Sequence, residues 1–396
     1  MTPRIVLAGA ARTAIGSFSG SLSDAPAAYL GSTVVHAAMQ RSGIRPEDVD
    51  ETIFGNVLSA GQGQNVARQV SLGAGLPAGV GATTINKVCG SGLKAVMLAC
   101  QAIACGDAGV VAAGGTENMS AAPYLLPKAR GGYRMGHGEL IDSMLKDGLW
   151  DGYHNRHMGT CGDACAERCR ISRQQQDDFA VASYQRAQAA QRDGRFGQEI
   201  VPVEIAGRKG TTVVELDEEP QRFDESKLRA LKPAFSPQGS VTAGNASSIN
   251  DGAAAVMVLS EEKAAELGVQ PQAAMAGYAS FAQEPEWFTL APIGAMQKLL
   301  RQLGWQIEDV DLFEINEAFS VVPLAAMQEM KIPHEKVNVR GGAVALGHPI
   351  GASGARILVT LLASMQQRDA RKGIATLCIG GGEAVALAVT RGEDEA

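Results

Sequence analysis

Aromatic residues are scarce in this chain, at 5% of 396 residues, and charged residues reach only 19%. The charge leans acidic, with 42 Asp and Glu against 35 Lys and Arg and a formal net charge of −7. A nucleic-acid binder shows a basic face, so this balance argues against one, while a local basic patch remains open to a phosphorylated small molecule. No run approaches about 18 uncharged apolar residues, so the sequence predicts no membrane span. The start, Met1-Thr2-Pro3-Arg4 followed by Ile5 to Ala11, lacks the apolar stretch and flanks of a secretory signal. Seven cysteines, an odd number in a long chain, do not read as a disulfide framework and point to reduced thiols in a cytoplasmic compartment. The 45% hydrophobic content excludes disorder as the dominant state.

Glycine is abundant. There are 47 in 396 residues, about 12% against the usual roughly 7%, without a collagen-like period. The excess predicts tight turns and close backbone approaches. At about 150 residues per domain the length predicts two to three domains.

The chain also repeats. Gly43-Ile44-Arg45-Pro46-Glu47-Asp48-Val49-Asp50 is echoed by Gly304-Trp305-Gln306-Ile307-Glu308-Asp309-Val310-Asp311, an offset of 304 − 43 = 261. Cys89-Gly90-Ser91-Gly92 opens an apolar helical run, as does Gly351-Ala352-Ser353-Gly354, at 353 − 91 = 262. Generic strand–glycine–helix units recur in any α/β protein, but they need not agree in offset, so a duplication is expected.

Each half alternates strands and helices, which implies parallel pairing under covering helices. The first half predicts a strand at Ile5–Ala8, a helix from Pro26 to Arg41, a helix from Leu93 to Cys105 and a strand over Val110–Ala113. The second predicts helices over Ile293–Leu303, Ala318–Met330 and Gly354–Gln366, with strands at Leu312–Glu314 and Ala375–Cys378. Between them, residues 120–240 carry most of the charge and turn signals. They read as an excursion with a polar helix from Ser172 to Asp193 and a hairpin near Val201–Leu216. The chain rejoins the core at a strand over Ala253–Leu259 and a helix over Glu261–Leu267.

Four places carry chemistry. Cys89 precedes a helix, where free N–H groups and the helix dipole favour a thiolate; a small buried hydrophobe at a turn is the bland alternative. His348 lies in the matching loop of the second half, so duplication brings the two loops together, and a Cys/His pair is the minimal activated nucleophile. Cys378 ends a strand before Gly380-Gly381, whose N–H groups can bind an oxyanion. Asn316 follows a strand and reads either as a helix cap or as an amide aimed into the site. Cys161, Cys165 and Cys169 share a helix face. Their spacing fits no usual metal pair, so no metal site is predicted and a stripe of small residues is expected. Cys100 and Cys105 are expected in the helix behind Cys89.

The segments Asn86–Ala95, Gly244–Ala253, Asn316–Phe319, Gly341–Gly351 and Cys378–Gly382 together resemble the thiolase family, in its acetyl-CoA acetyltransferase branch, over essentially the whole chain. The resemblance implies an α/β fold: duplicated βαβαβαββ halves form a layered αβαβα core with an inserted loop domain. The expected division is 1–118 plus 244–270, the insertion 119–243 for coenzyme A binding and oligomerisation, and 271–396. It implies Cys89 as acylated nucleophile, His348 as its base, and Cys378 as the acid/base at the α-carbon. One oxyanion hole would use the N–H groups of Cys89 and Gly380, the other His348 and a water held by Asn316. Ser247, His157, Met158, Ala243, Ala318 and Phe319 would line the acyl-CoA site. Coenzyme A and acyl-CoA would be substrates, with no tightly bound cofactor, and the partners acetyl-CoA and acetoacetyl-CoA. A homodimer or homotetramer is implied, with the segment from Arg130 to Met144 resembling the family's tetramerisation and cationic loop. Lys128, Arg130 and Arg134 there read equally as a nucleotide-attracting patch or a solvated loop.

Two departures touch the acyl pocket. Thr160-Cys161-Gly162-Asp163-Ala164 replaces the usual Thr-Ala-Glu-Asn, and Pro285–Pro292 departs from the short-chain pattern. The implied activity is condensation of two acetyl-CoA and the reverse thiolysis, with a 3-ketoacyl-CoA thiolase of broader chain length as the alternative. A synthase on the same fold would lack the second cysteine, and a non-catalytic carrier would need none of Cys89, Asn316, His348 and Cys378.

Overall fold

The computed structural model of the chain describes residues 3–208 and 210–392; the outer ends of the expected domain ranges, at 1 and 396, lie outside them. The first half runs β1 (Ile5–Thr13), α1 (Ala27–Ser42), β2 (Glu51–Gly55), α2 (Val66–Gly73), β3 (Gly81–Ile85), α3 (Ser91–Cys105), β4 (Val110–Asn118). It closes, after the insertion, with β5 (Asn250–Ser260). That is the βαβαβαββ order. The insertion contributes α4 (Gly159–Cys169) and α5 (Arg173–Arg192), and a hairpin pairing Val203–Gly207 with Gly210–Val214. The second half runs β6 (Ala273–Ala282), α6 (Ala291–Leu303), β7 (Leu312–Ile315), α7 (Val321–Met330), α8 (Ile350–Arg368), β8 (Lys372–Ile379) and β9 (Glu383–Thr390). Its missing strand survives as one parallel bridge, Phe313 to Val337.

The main sheet order is β7-β8-β9-β6-β1-β5-β4-β2-β3. It reads as the two halves placed edge to edge, β6-β9-β8-β7 mirroring β1-β5-β4-β2. The join is short: Val6 pairs Ala274 and Leu7 pairs Ala273. One core cluster fills the space between the half-sheets and contains α3 and α8. A second lies under α1 and α2, and a third under α4, α6 and α7. The layers are therefore helix, sheet, helix pair, sheet, helix.

The central layer depends on glycine. A Cβ on Gly92 would sit 2.7 Å from the Ala355 nitrogen, and one on Gly354 would sit 2.3 Å from the Leu93 nitrogen. The two buried helices cross backbone to backbone, which only residues without a side chain allow. Gly43 and Gly106 end α1 and α3 in the left-handed conformation, at φ 75 and 82, as their C-terminal positions predict. The insertion is pinned by a buried cluster: Arg12 donates to both Asp217 oxygens at 2.8 and 3.0 Å and lies 3.3 Å from Glu199.

Several expectations change. The helix expected from Ala318 begins at Val321, because residues 317–320 pair with the neighbouring motif instead: Ser247 N–H donates to Ala318 O at 3.0 Å and Ser320 N–H to Asn245 O at 2.8 Å. Asn316 is therefore no helix cap; Ser320 holds that position. The helix expected from Gly354 starts at Ile350, behind Pro349, whose fixed φ suits a helix entry. Cys105 is exposed rather than packed. Val88–Cys105 does reach the length and hydropathy of a span, with a mean hydropathy of 1.6, yet it is 61% buried inside the fold and carries Lys94. Lys128, Arg130 and Arg134 are exposed. Cys161 and Cys165 are buried in the third core, and no cluster of metal-ligating side chains occurs among the described residues.

Candidate active site

Cys89 sits on the turn that feeds α3. The residue before it, Val88, has φ 46, a region a β-branched side chain rarely adopts. Ser91 holds this turn from inside, its hydroxyl donating to Val88 O at 2.7 Å and accepting from Lys87 N–H at 2.8 Å. Lys87 also pairs with Glu383, tying the Cys89 turn to the start of β9. Gly90 faces Ile379 so closely that a Cβ would sit 2.3 Å from its Cδ1. These contacts fix the two halves against each other beside Cys89.

The backbone N–H groups of Gly380 and of Cys89 itself, one from each half, favour the Cys89 thiolate. Helix-dipole reasoning favours a thiolate there, but burial outweighs it: the thiol is pushed up to about 11. Cys378, at the end of β8, is pushed up further, by burial and then by Cys89. Both thiols are neutral at rest.

His348 is also buried, and burial followed by the nearby Arg356 cation holds it down to about 3. Its imidazole is therefore uncharged. Its Nδ1 lies 2.6 Å from Ser353 Oγ, and Ser353 Oγ lies 2.9 Å from Pro349 O. Each proton finds an acceptor only if Nδ1–H donates to Ser353 and Ser353 O–H donates to Pro349. That tautomer leaves the Nε2 lone pair free, and Nε2 has no hydrogen-bond partner among the described residues. The His348 backbone is set by Asn250, whose Oδ1 accepts the His348 N–H at 2.9 Å while its Nδ2 donates to Gly16 O at 2.9 Å. The start of α8 is held by Glu117, which accepts from Gly351 N–H at 2.9 Å and from Val57 and Leu58 N–H at 3.0 and 3.1 Å. Asn316 lies behind the imidazole, its Nδ2 3.5 Å from His348 Nδ1.

Cys89, His348 and Cys378 line one cavity of about 340 Å³. Ser247, His157, Met158, Ala243, Ala318 and Phe319 line it too. Asn316 and Gly380 do not. Asn316 stands behind His348, and Gly380 is covered by Met158, whose Cε would lie 2.2 Å from a Cβ there. His157 stacks on Phe235 at 4.5 Å, and its Nδ1 accepts the Gly159 N–H at 3.1 Å, which puts its proton on Nε2. Burial lowers its basicity. Ser247 donates through its hydroxyl to Ala318 O at 3.1 Å.

Sequence reasoning missed part of the wall. Phe235 and Phe288 both line the cavity, at 6.2 and 6.5 Å from the Phe319 ring. Phe288 lies in the departing segment 285–292, which was a usable signal; Phe235 lies in an irregular loop and gave none. Ser353 and Arg356 were likewise missed, since both read as ordinary residues of a buried helix.

A cavity that holds two neutral thiols and an uncharged imidazole, with backbone N–H groups favouring one thiolate, can carry acyl transfer and move a proton at a second centre. The family model for the thiolase N-terminal domain matches residues 5–262, and that for the thiolase C-terminal domain matches 269–391. The chain is 54% identical over 393 residues to an acetyl-CoA acetyltransferase of Allochromatium vinosum, covering 99% of this chain and 100% of that protein. It is 54% identical over 389 residues to one from Cupriavidus necator, covering 98% and 99%. Acetyl-CoA acetyltransferase 2 of Arabidopsis thaliana is 53% identical over 391 residues, covering 98% and 97%. With both family models matched across nearly its full length, this chain belongs to the thiolase family.

Proposed function

We propose that the protein is an acetyl-CoA C-acetyltransferase that interconverts two acetyl-CoA with acetoacetyl-CoA and coenzyme A through an acyl-Cys89 intermediate. The observation that carries this reading is the single cavity in which Cys89, His348 and Cys378 meet. In thiolysis, His348 Nε2 takes the Cys89 proton and the thiolate attacks the 3-keto carbonyl. The C–C bond breaks, and Cys378, a neutral thiol, protonates the departing enolate to give acetyl-CoA. Coenzyme A then attacks acetyl-Cys89, passing its proton to the Cys378 thiolate. Cys89 leaves as a thiolate and recovers the proton held by His348. Condensation is the same path reversed.

Charge develops on oxygen at both centres. The N–H groups of Cys89 and Gly380 serve the acyl-enzyme; His348, once protonated, and a water held by Asn316 serve the enolate. Each preorganised donor is worth about 3 kcal/mol. His157, Ser247, Met158, Ala243, Ala318 and Phe319 hold the pantetheine arm and acyl group. The chemistry needs no tightly bound cofactor and no metal. It needs reduced thiols, which fits a cytoplasmic enzyme. The domain ranges 1–118 with 244–270, 119–243 and 271–396 follow the same reading. A homodimer or homotetramer is supported by two surfaces: the uncovered edge strand β3 and the apolar side chains Tyr124, Met135 and Leu140, exposed at 63%, 93% and 66%.

The test is thiolysis of acetoacetyl-CoA against a medium-chain 3-ketoacyl-CoA. The aromatic wall of Phe235, Phe288 and Phe319 predicts a strong preference for acetoacetyl-CoA. A higher kcat/KM for the medium chain overturns the substrate reading.

A further inference from the structure

Arg356 lies on α8, fully out of solvent, and is poorly paired for a buried cation. Its nearest carboxylate is Glu314, with Nη1 3.7 Å from Oε2, and neither Nε nor Nη1 has a hydrogen-bond partner among the described residues. Withdrawing a guanidinium from water is repaid only by close, saturated pairing. Arg12 in the same molecule is paired far more closely, with two bonds to Asp217 at 2.8 and 3.0 Å and Glu199 3.3 Å from its Nε. Arg356 instead spends its Nη2 on Asn316, donating to Oδ1 at 3.4 Å. An amide has two nearly isosteric ends. A cationic donor on Oδ1 selects one orientation and puts Nδ2 on the His348 side, 3.5 Å from Nδ1; Nδ1 carries the proton given to Ser353, so Nδ2 donates to the proposed water and not to the imidazole.

We infer that Arg356 is a positioning residue of this site: it holds the Asn316 amide in one orientation and opposes positive charge on the His348 imidazole. The inference rests on the roles proposed above for Asn316 and His348. The groups facing His348 are Cys89 and Cys378 across the cavity, Asn316 and Arg356 behind it with Glu314 and Glu317 beyond, Ser353 on its own helix, and Glu117 at the helix start. Only Arg356 is a cation, and it lowers the imidazole's proton affinity after burial itself.

The two roles separate by sign. Without the cation, His348 takes the Cys89 proton more readily, so Cys89 becomes more reactive. Without the fixed amide, the water that Asn316 holds for the enolate is lost and C–C chemistry slows. The test uses the full-length enzyme with Arg356→Met/Glu314→Gln, which removes the cation and leaves no orphaned buried carboxyl group, Glu314 being already pushed up to about 8 by burial. We expect Cys89 alkylation by iodoacetamide at pH 7 to rise several-fold, while kcat for acetoacetyl-CoA thiolysis falls roughly a hundredfold, the loss typical of one oxyanion donor, with KM little changed. Arg356→Lys keeps the charge and loses the fork, so alkylation stays at the wild-type rate and kcat falls. Alkylation and kcat both unchanged, or both reduced in step with thermal stability, overturn the inference. If the double variant does not fold, Arg356→Lys decides alone: full kcat in that variant overturns it. Asn316→Ala with wild-type kcat would instead sink the underlying assignment of Asn316.

Discussion

The site works through opposed pressures on single residues. Cys89 is raised to about 11 and His348 lowered to about 3, so the resting pair is neutral. The helix dipole, an effect of about 0.3–1 kcal/mol at an exposed site, loses here to desolvation of a fully buried thiol. Ser353 is the residue on which the tautomer of His348 depends. Ser353→Ala removes the acceptor for Nδ1–H and leaves a buried donor unpaired, at a cost of about 1–3 kcal/mol. We expect kcat to fall by roughly tenfold to a hundredfold, with Cys89 still alkylated; unchanged steady-state kinetics would refute this role. Cys89, His348 and Cys378 were legible in the sequence because the first two sit in matching glycine-rich loops of the repeat and the third ends a strand just before glycines. Ser353 and Arg356 were not, because their work depends on which side of a wholly buried helix faces the imidazole.

At the scale of elements, the decisive contact is the crossing of α3 and α8, which carries Cys89 and His348 into one cavity. Gly354→Ala drives a Cβ to 2.3 Å from the Leu93 backbone nitrogen. Neither backbone can yield without moving a catalytic loop. We expect a loss of about 3 kcal/mol or more in denaturant unfolding and a larger loss of activity than Gly43→Ala, whose added Cβ meets only open space and costs only the strain of its positive φ. Equal effects of the two substitutions would show that the crossing does not set the site. Most elements were readable from period and punctuation: α1, α3, α5 and the helix Glu261–Leu267 begin or end within two residues of expectation. The failure at Ala318 has a definite cause. Residues 317–320 have helical propensity, but their backbone groups are taken by residues 245–247, a long-range pairing no local pattern can reveal.

The whole molecule is a duplicated fold in which neither half contains the chemistry alone: Cys89 comes from one, His348 and Cys378 from the other. Folding must therefore bury titratable groups at the seam, and this carries a pH signature. His348 is lowered in the folded state, so the unfolded chain binds more protons below pH 6.5, and stability falls as pH drops from about 6.5 toward about 3. The slope from this one group is about 1.4 kcal/mol per pH unit. Unfolding titrations of wild type and His348→Gln across pH 7 to 4.5 should diverge in that direction; parallel curves would mean that His348 titrates normally. The central claim is the division of labour between the two cysteines, and acyl-enzyme trapping with labelled acetyl-CoA tests it most directly. Wild type and Cys378→Ala should both retain one label per chain on Cys89, with only the wild type going on to acetoacetyl-CoA, and Cys89→Ala should retain none. Label on Cys89→Ala, or acetoacetyl-CoA formation by Cys378→Ala at the wild-type rate, would contradict the account.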